Sequence, residues 1–120
     1  NRHNTGESRM FFVATVDDDV VGWTHLDLPQ VDKLRNTARQ TVGVVPAYRG
    51  QGVGSNLLQR GIEWAGANGY RKMHNKVPAV NEHALAFLED HGWQTEGIRR
   101  KHYTLGDDLV DEVMMAYEID

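Results

Sequence analysis

The chain has 120 residues, 40% hydrophobic and 25% charged, with a formal charge of -4 and no cysteine. That is enough apolar material for one core and predicts a single domain over residues 1–120. The lack of a basic excess argues against a nucleic-acid binder, and the lack of thiols removes disulfides, thiolate metal sites and a cysteinyl intermediate. Arg9 to Val16 (RMFFVATV) is rich in β-formers, Asp17-Asp18-Asp19 reads as a turn, and Val20 to Leu28 resumes the pattern, which predicts a hairpin. Pro29 to Asn36 reads as a polar connector and Thr37 to Val45 as a third strand that Pro46 stops. From Gly52 to Asn68 the spacing places Leu57, Leu58, Ile62 and Ala65 on one helical face, with Asn68-Gly69 as the stop. Gly61 and Gly66 inside that helix cost about 1 kcal/mol each relative to alanine, so close packing is expected there. Tyr70 to Val77 reads as a strand and Asn81 to His91 as a second helix with Ala84, Leu85, Phe87 and Leu88 inward. Trp93 to Thr104 and Leu109 to Ile119 are two further strands joined across Gly106-Asp107-Asp108.

This order predicts an α/β (α+β) fold with a mixed, mostly antiparallel sheet of about six strands and two helices. No apolar run approaches the roughly 20 residues of a membrane span, and the first residues lack a signal-peptide core. A cytoplasmic protein without a membrane partner is expected.

The chemistry concentrates between Tyr48 and Leu58, where Gly50, Gly52 and Gly54 alternate and run into a helix directly after a strand. Glycine permits a tight turn and close backbone approach, while a helix start offers N–H groups and a positive dipole end to an anion. Spacing separates the ligand classes. A P-loop needs Lys and then Ser or Thr after its last glycine, but Gly54 is followed by Ser55-Asn56. A dinucleotide fingerprint needs a third glycine where Leu57 stands. Metal binding is not expected, because His74, His83 and His91 fit no ligand spacing. Arg49-x-x-Gly52-x-Gly54 remains.

That pattern resembles the pyrophosphate loop of the GNAT superfamily of acyl-CoA-dependent N-acyltransferases. Three blocks carry the resemblance: Val42 to Ser55; Asn81-x-x-Ala84 with Gly92-Trp93; and Glu96-Gly97 followed by Arg100, Val110-Asp111 and Met114-Met115-Ala116. The last block is similar to the branch that acetylates small amino acids and related amines. The resemblance implies acetyl-CoA as cosubstrate, with the backbone of Gly50, Gln51, Gly52, Val53, Gly54 and Ser55, beside Arg49, holding the pyrophosphate. It implies that the strand at Val42 and Val44 pairs with the pantetheine amides, that an amide near Val44 stabilises the oxyanion, and that Asn81 touches the pantetheine arm. It also implies direct transfer to a primary amine of a small molecule in a ternary complex. Bland readings stand beside these: Asn81 as a helix cap alone, Arg49 as a solvated charge, and the valines as core.

Two departures bear on mechanism. The family's tyrosine acid corresponds to Leu88, and its glutamates correspond to Lys76 and Ala38. Candidate proton acceptors are therefore His25 and Asp27 on the second strand and His74 before Asn81. These losses leave open a non-catalytic acyl-CoA-binding or sensing module, and acetylation of protein N-termini or lysines is a third reading. In the family a strand and one or two helices precede the hairpin, whereas only Asn1 to Ser8 precede it here. That predicts a lost segment, or an acceptor site that is open or completed by a partner chain, and a homodimer covering the exposed strand edge.

Overall fold

The first β-rich run and its successor form an antiparallel pair, β1 (Glu7–Val16) and β2 (Asp19–Pro29), in a computed structural model that describes residues 7–29 and 36–120. Asp17 and Asp18 make the reversal with φ of 51° and 72°. Two left-handed residues let a two-residue turn follow the strand twist, and aspartate tolerates that conformation better than most side chains. β3 (Thr37–Val44) pairs antiparallel with β2, and Pro46 then opens a short 3-10 turn, Pro46–Tyr48. α1 (Val53–Ala67), β4 (Lys72–Pro78), α2 (Glu82–Asp90), β5 (Gln94–Leu105) and β6 (Asp108–Glu118) follow. The sheet has six strands in the order β1-β2-β3-β4-β6-β5 and is mostly antiparallel, the α/β class expected from the sequence. Most of the connector expected before β3 lies outside the described residues. Among the described residues, no helix is long and apolar enough to cross a membrane.

Two compact units divide the chain, one ending at Met73 but including Ile119 and Asp120, the other His74–Glu118. In the first unit, Leu57, Leu58, Ile62 and Ala65 are all buried, as their spacing predicted. Each large aliphatic side chain so buried contributes about 1.5–3 kcal/mol. Glycines set how closely α1 approaches the strands. A Cβ on Gly22 of β2 would stand 2.9 Å from Val53 Cγ1 and 3.0 Å from Leu57 Cδ1, and one on Gly61 would stand 2.2 Å from Gln40 Nε2. Gln40, 1% exposed, donates to Thr24 Oγ1 at 3.1 Å and to the Leu58 carbonyl at 3.2 Å, and Thr24 donates to the Thr41 carbonyl at 2.8 Å. This buried polar knot ties helix to strands, and it accounts for a glycine that helix propensity alone disfavours.

In the second unit, Leu88 is the one fully buried residue of α2; Ala84, Leu85 and Phe87 are half-buried. β5 and β6 form a hairpin whose register shifts between Arg99 and Tyr103. There Lys101 takes φ 51° and its N–H donates to Asp111 Oδ1 at 2.9 Å. Asp111 therefore clamps a bulge, and its own carbonyl accepts from Ala79 N–H at 2.8 Å.

Candidate functional site

The turn between β3 and α1 is built from left-handed glycines. Gly50 and Gly52 have φ of 77° and 86°, which L side chains rarely adopt, and a Cβ on either would meet nothing within 4 Å. Backbone conformation, not crowding, demands glycine here, and among the described residues the space beside both positions is open. Gly52 is the N-cap of α1 and supplies no side-chain cap, and no acidic residue stands in the first turn. Val53, Gly54 and Ser55 are the first three helical residues, so their N–H groups point out of the helix start. Val53 rests on Gly22, and Gly22 pairs with Val44, so the loop is seated beside the end of β3. Arg49 reaches back from the loop, with Nε donating to the Val44 carbonyl at 3.3 Å, and Gln51 Nε2 donates to the Ala47 carbonyl at 3.2 Å. Arg49 is thus a tie between loop and strand.

Register fixes which way β3 directs its amides. Val45 N–H donates to the Val21 carbonyl at 2.9 Å, and the ladder continues through Gly22↔Val44, Trp23↔Gly43 and Thr24↔Val42. Antiparallel pairs alternate between bonded and non-bonded, so Gly43 bonds toward β2 while Val42 and Val44 direct N–H and C=O away from it. Both residues expected to meet a pantetheine arm present their amides on the side away from β2.

The face of β1, β2 and β3 opposite α1 carries three rows across the strands: Val13, Trp23 and Gly43; Phe11, His25 and Thr41; Arg9, Asp27 and Arg39. The Trp23 ring lies on Gly43, where a Cβ would stand 2.2 Å from Cζ2. Asp27 is held by Arg9 Nε, and His25 Nδ1 stands 3.8 Å from Asp27 Oδ1. Burial pushes the His25 pKa below its ordinary value, against the raising effect of Asp27 and with the positive charges of Arg9 and Arg39. His25 is therefore neutral at pH 7 and a weak proton acceptor. It is opposite Thr41, three residues along β3 from Val44, or about 10 Å at strand rise. Asp27, opposite Arg39, is farther still. Direct proton transfer needs about 3 Å, so either residue would have to act through a chain of waters.

His74 and Asn81 belong to the second unit. His74 is a half-buried residue of β4. Asn81 is the N-cap of α2, and its Oδ1 accepts from Ala84 N–H at 3.1 Å. The sequence did not point to Glu112. This carboxylate on β6 is 2% exposed, with Arg99 Nε at 3.7 Å and His102 Nε2 at 4.0 Å. A hydrogen bond from Tyr103 holds its pKa down, burial opposes this, and His102, Lys76 and Arg99 add to the lowering. Lys76, which stands where some relatives carry glutamate, thus lies in the field of a carboxylate from another strand. Gly22, Gln40 and Glu112 were missed because single glycines and isolated polar residues in strands carry no periodic signal. Among the described residues, no group of three or more His, Cys, Asp or Glu is placed to hold a metal ion.

An uncapped helix start behind a left-handed glycine turn, beside a strand with outward amides, is suited to an extended ligand that carries an anionic group. A model of the acetyltransferase (GNAT) family matches residues 2–93, and the chain belongs to that family of acyltransferases. It is 36% identical over 63 residues, 52% of its length, to N-alpha-acetyltransferase RimI of Mycobacterium tuberculosis. It is 33% identical over 78 residues, 65% of its length, to the [ribosomal protein bS18]-alanine N-acetyltransferase of Escherichia coli. The matched stretches span 38% and 53% of those two proteins. The structure of yncA from Salmonella typhimurium with its cofactor acetyl-CoA shares the fold, with TM-score 0.84 at 23% identity over 92% of this chain and 64% of that one.

Proposed function

We propose that this chain transfers the acetyl group of acetyl-CoA directly to a primary α-amine. The observation that carries this reading is the Gly50 and Gly52 turn at the uncapped start of α1, joined by Arg49 to a strand whose Val42 and Val44 amides face away from β2. The pyrophosphate would rest on the amides of Gly50 to Ser55, charge-assisted bonds that need no lysine. The amine nitrogen attacks the thioester carbon while the Val44 N–H donates to the developing oxyanion. The C–S bond then breaks, the nitrogen loses a proton to solvent, and the coenzyme A thiolate leaves. An α-amine with pKa near 7.7 to 8 is partly neutral at pH 7, so the distance of His25 and Asp27 from Val44 is no obstacle.

A small-molecule amine is the first reading of the acceptor, from the third sequence block. Acetylation of a protein N-terminus is the second, favoured by the Escherichia coli relative, a [ribosomal protein bS18]-alanine N-acetyltransferase. Calorimetry with acetyl-CoA followed by a thiol-release assay on free amino acids and on short peptides separates them. Binding with turnover of one acceptor class supports transfer. Binding with silence on both leaves a sensing module, and no binding at millimolar acetyl-CoA rejects the proposal.

A further inference from the structure

The outer face of the β1–β3 unit has an aromatic surface that the acetyl-CoA reading does not use. Phe11 and Val13 are each 57% exposed and Trp23 is 39% exposed, a concentration of large apolar groups that a protein surface seldom leaves without a purpose. Trp23 is the member next to the chemistry. It pairs with Gly43, one rung from the Gly22↔Val44 pair, and its indole lies against the Gly43 backbone. Gly43 has no positive φ to explain its identity; the ring explains it, because any side chain there would displace the indole.

The two faces of this unit are not equally accessible at that rung. On one, Val53 and Leu57 of α1 press onto Gly22 at contact distance. A molecule approaching the thioester carbon beside Val44 must come over the other face, where Trp23 is the adjacent side chain. The nearest ionised groups on that face, Arg9, Asp27 and Arg39, lie two rows and about 13 Å further along, and Arg9 and Asp27 are already paired. Within the β1–β3 rows the group attached to the amine-bearing carbon therefore meets ring and aliphatic surface, and Arg49, whose Nε donates to the Val44 carbonyl, is a charge held from the loop.

Resting on the proposed transfer to an α-amine, we infer that Trp23 is a specificity-determining contact for the acceptor, and that the preferred acceptors are α-amines with an apolar side chain on the same carbon. Val13, beside Trp23 on β1, extends the platform for longer side chains. A site of this kind discriminates one apolar group from its absence by about 10-fold to 200-fold.

The test measures acceptor binding apart from turnover. Calorimetry on protein saturated with coenzyme A, which lacks an acetyl group to transfer, gives affinities for leucinamide, phenylalaninamide, glycinamide and serinamide. We expect the first two to bind at least about 10-fold tighter than the last two, the preference to vanish in Trp23→Ala, and to survive in Trp23→Phe, where a ring still covers Gly43. An unchanged coenzyme A affinity and melting temperature in Trp23→Ala would show that the fold is intact. Should Trp23→Ala unfold, the Phe variant and Val13→Ser, expected to weaken phenylalaninamide selectively, carry the measurement. Equal affinities across the four amides, no binding of any, or a preference that persists without the indole overturns the inference. Preference without turnover of acetyl-CoA would instead reject the transfer reading and leave Trp23 as an amine-binding contact.

Discussion

The two helices begin in opposite ways. α2 starts at Asn81, whose side chain accepts from Ala84 N–H, and Glu82 adds a negative charge in the first turn. α1 starts at Gly52 in the left-handed region, with no side-chain cap and no acidic residue in its first turn. Every helix start leaves N–H groups without intrahelical partners and carries the positive end of the dipole. At α2 the chain supplies the oxygen and the charge itself; at α1 it supplies neither, and two left-handed glycines keep side chains off the approach. A helix start left in that condition is suited to an anion from outside. What distinguishes α1 from other helix starts is the missing cap together with the glycine turn.

The largest effect is expected at Gly52. In Gly52→Val a β-branched residue must adopt φ near 86° and its side chain fills the approach to the loop. Loss of two charge-assisted hydrogen bonds at about 1.5 kcal/mol each corresponds to about 100-fold weaker acetyl-CoA binding by calorimetry. Gly52→Asn, which tolerates the left-handed region better, should fold more stably than the valine variant. Wild-type affinity in both would end the distinction between the two helix starts. Next, Gly61→Ala should cost about 1–3 kcal/mol in chemical denaturation, because the new methyl displaces Gln40 from its two bonds; it tests whether the seat of α1 depends on that knot.

At the other helix, Asn81→Ala should cost about 1 kcal/mol, with Asn81→Asp retaining most of the stability because a carboxylate caps as well. Two pH effects follow. Glu112 has its folded pKa lowered, so its contribution to stability is present above the ordinary carboxylate range and lost as pH falls through it; Glu112→Gln should flatten that acid limb in pH-dependent melting. His25 also has its pKa lowered, but for a group that is cationic when protonated. The unfolded chain takes up that proton first, so stability declines as pH falls below about 6.5 and levels off below the folded pKa. The slope should be shallow and absent in His25→Gln.

Much of this was legible in the residues. The hairpin turn at Asp17 and Asp18, the buried stripe of α1 and the stop at Gly69 follow from local rules that act within a few residues. The loop glycines were legible for the same reason, since a left-handed turn writes itself into the sequence as glycine. Gly22 and Gly43 were not, because each is small to admit a group distant in sequence, Val53 and Leu57 for one and the Trp23 ring for the other. His25 and Asp27 were found as polar residues, but strand alternation alone could not tell how far along β3 they stand from Val44.

The sequence by itself determined the element types, the left-handed glycine turn and the family, because backbone conformation and motif spacing are local properties of the chain. Tertiary structure decided which amides of β3 face away from β2, which face α1 leaves uncovered, and that Glu112 is buried among Tyr103, His102 and Arg99. Those depend on strand register and on contacts between residues far apart in the chain. A shift of one residue in the pairing of β3 with β2 reverses every amide and side chain of β3, and the spacing within β3 alone does not set it.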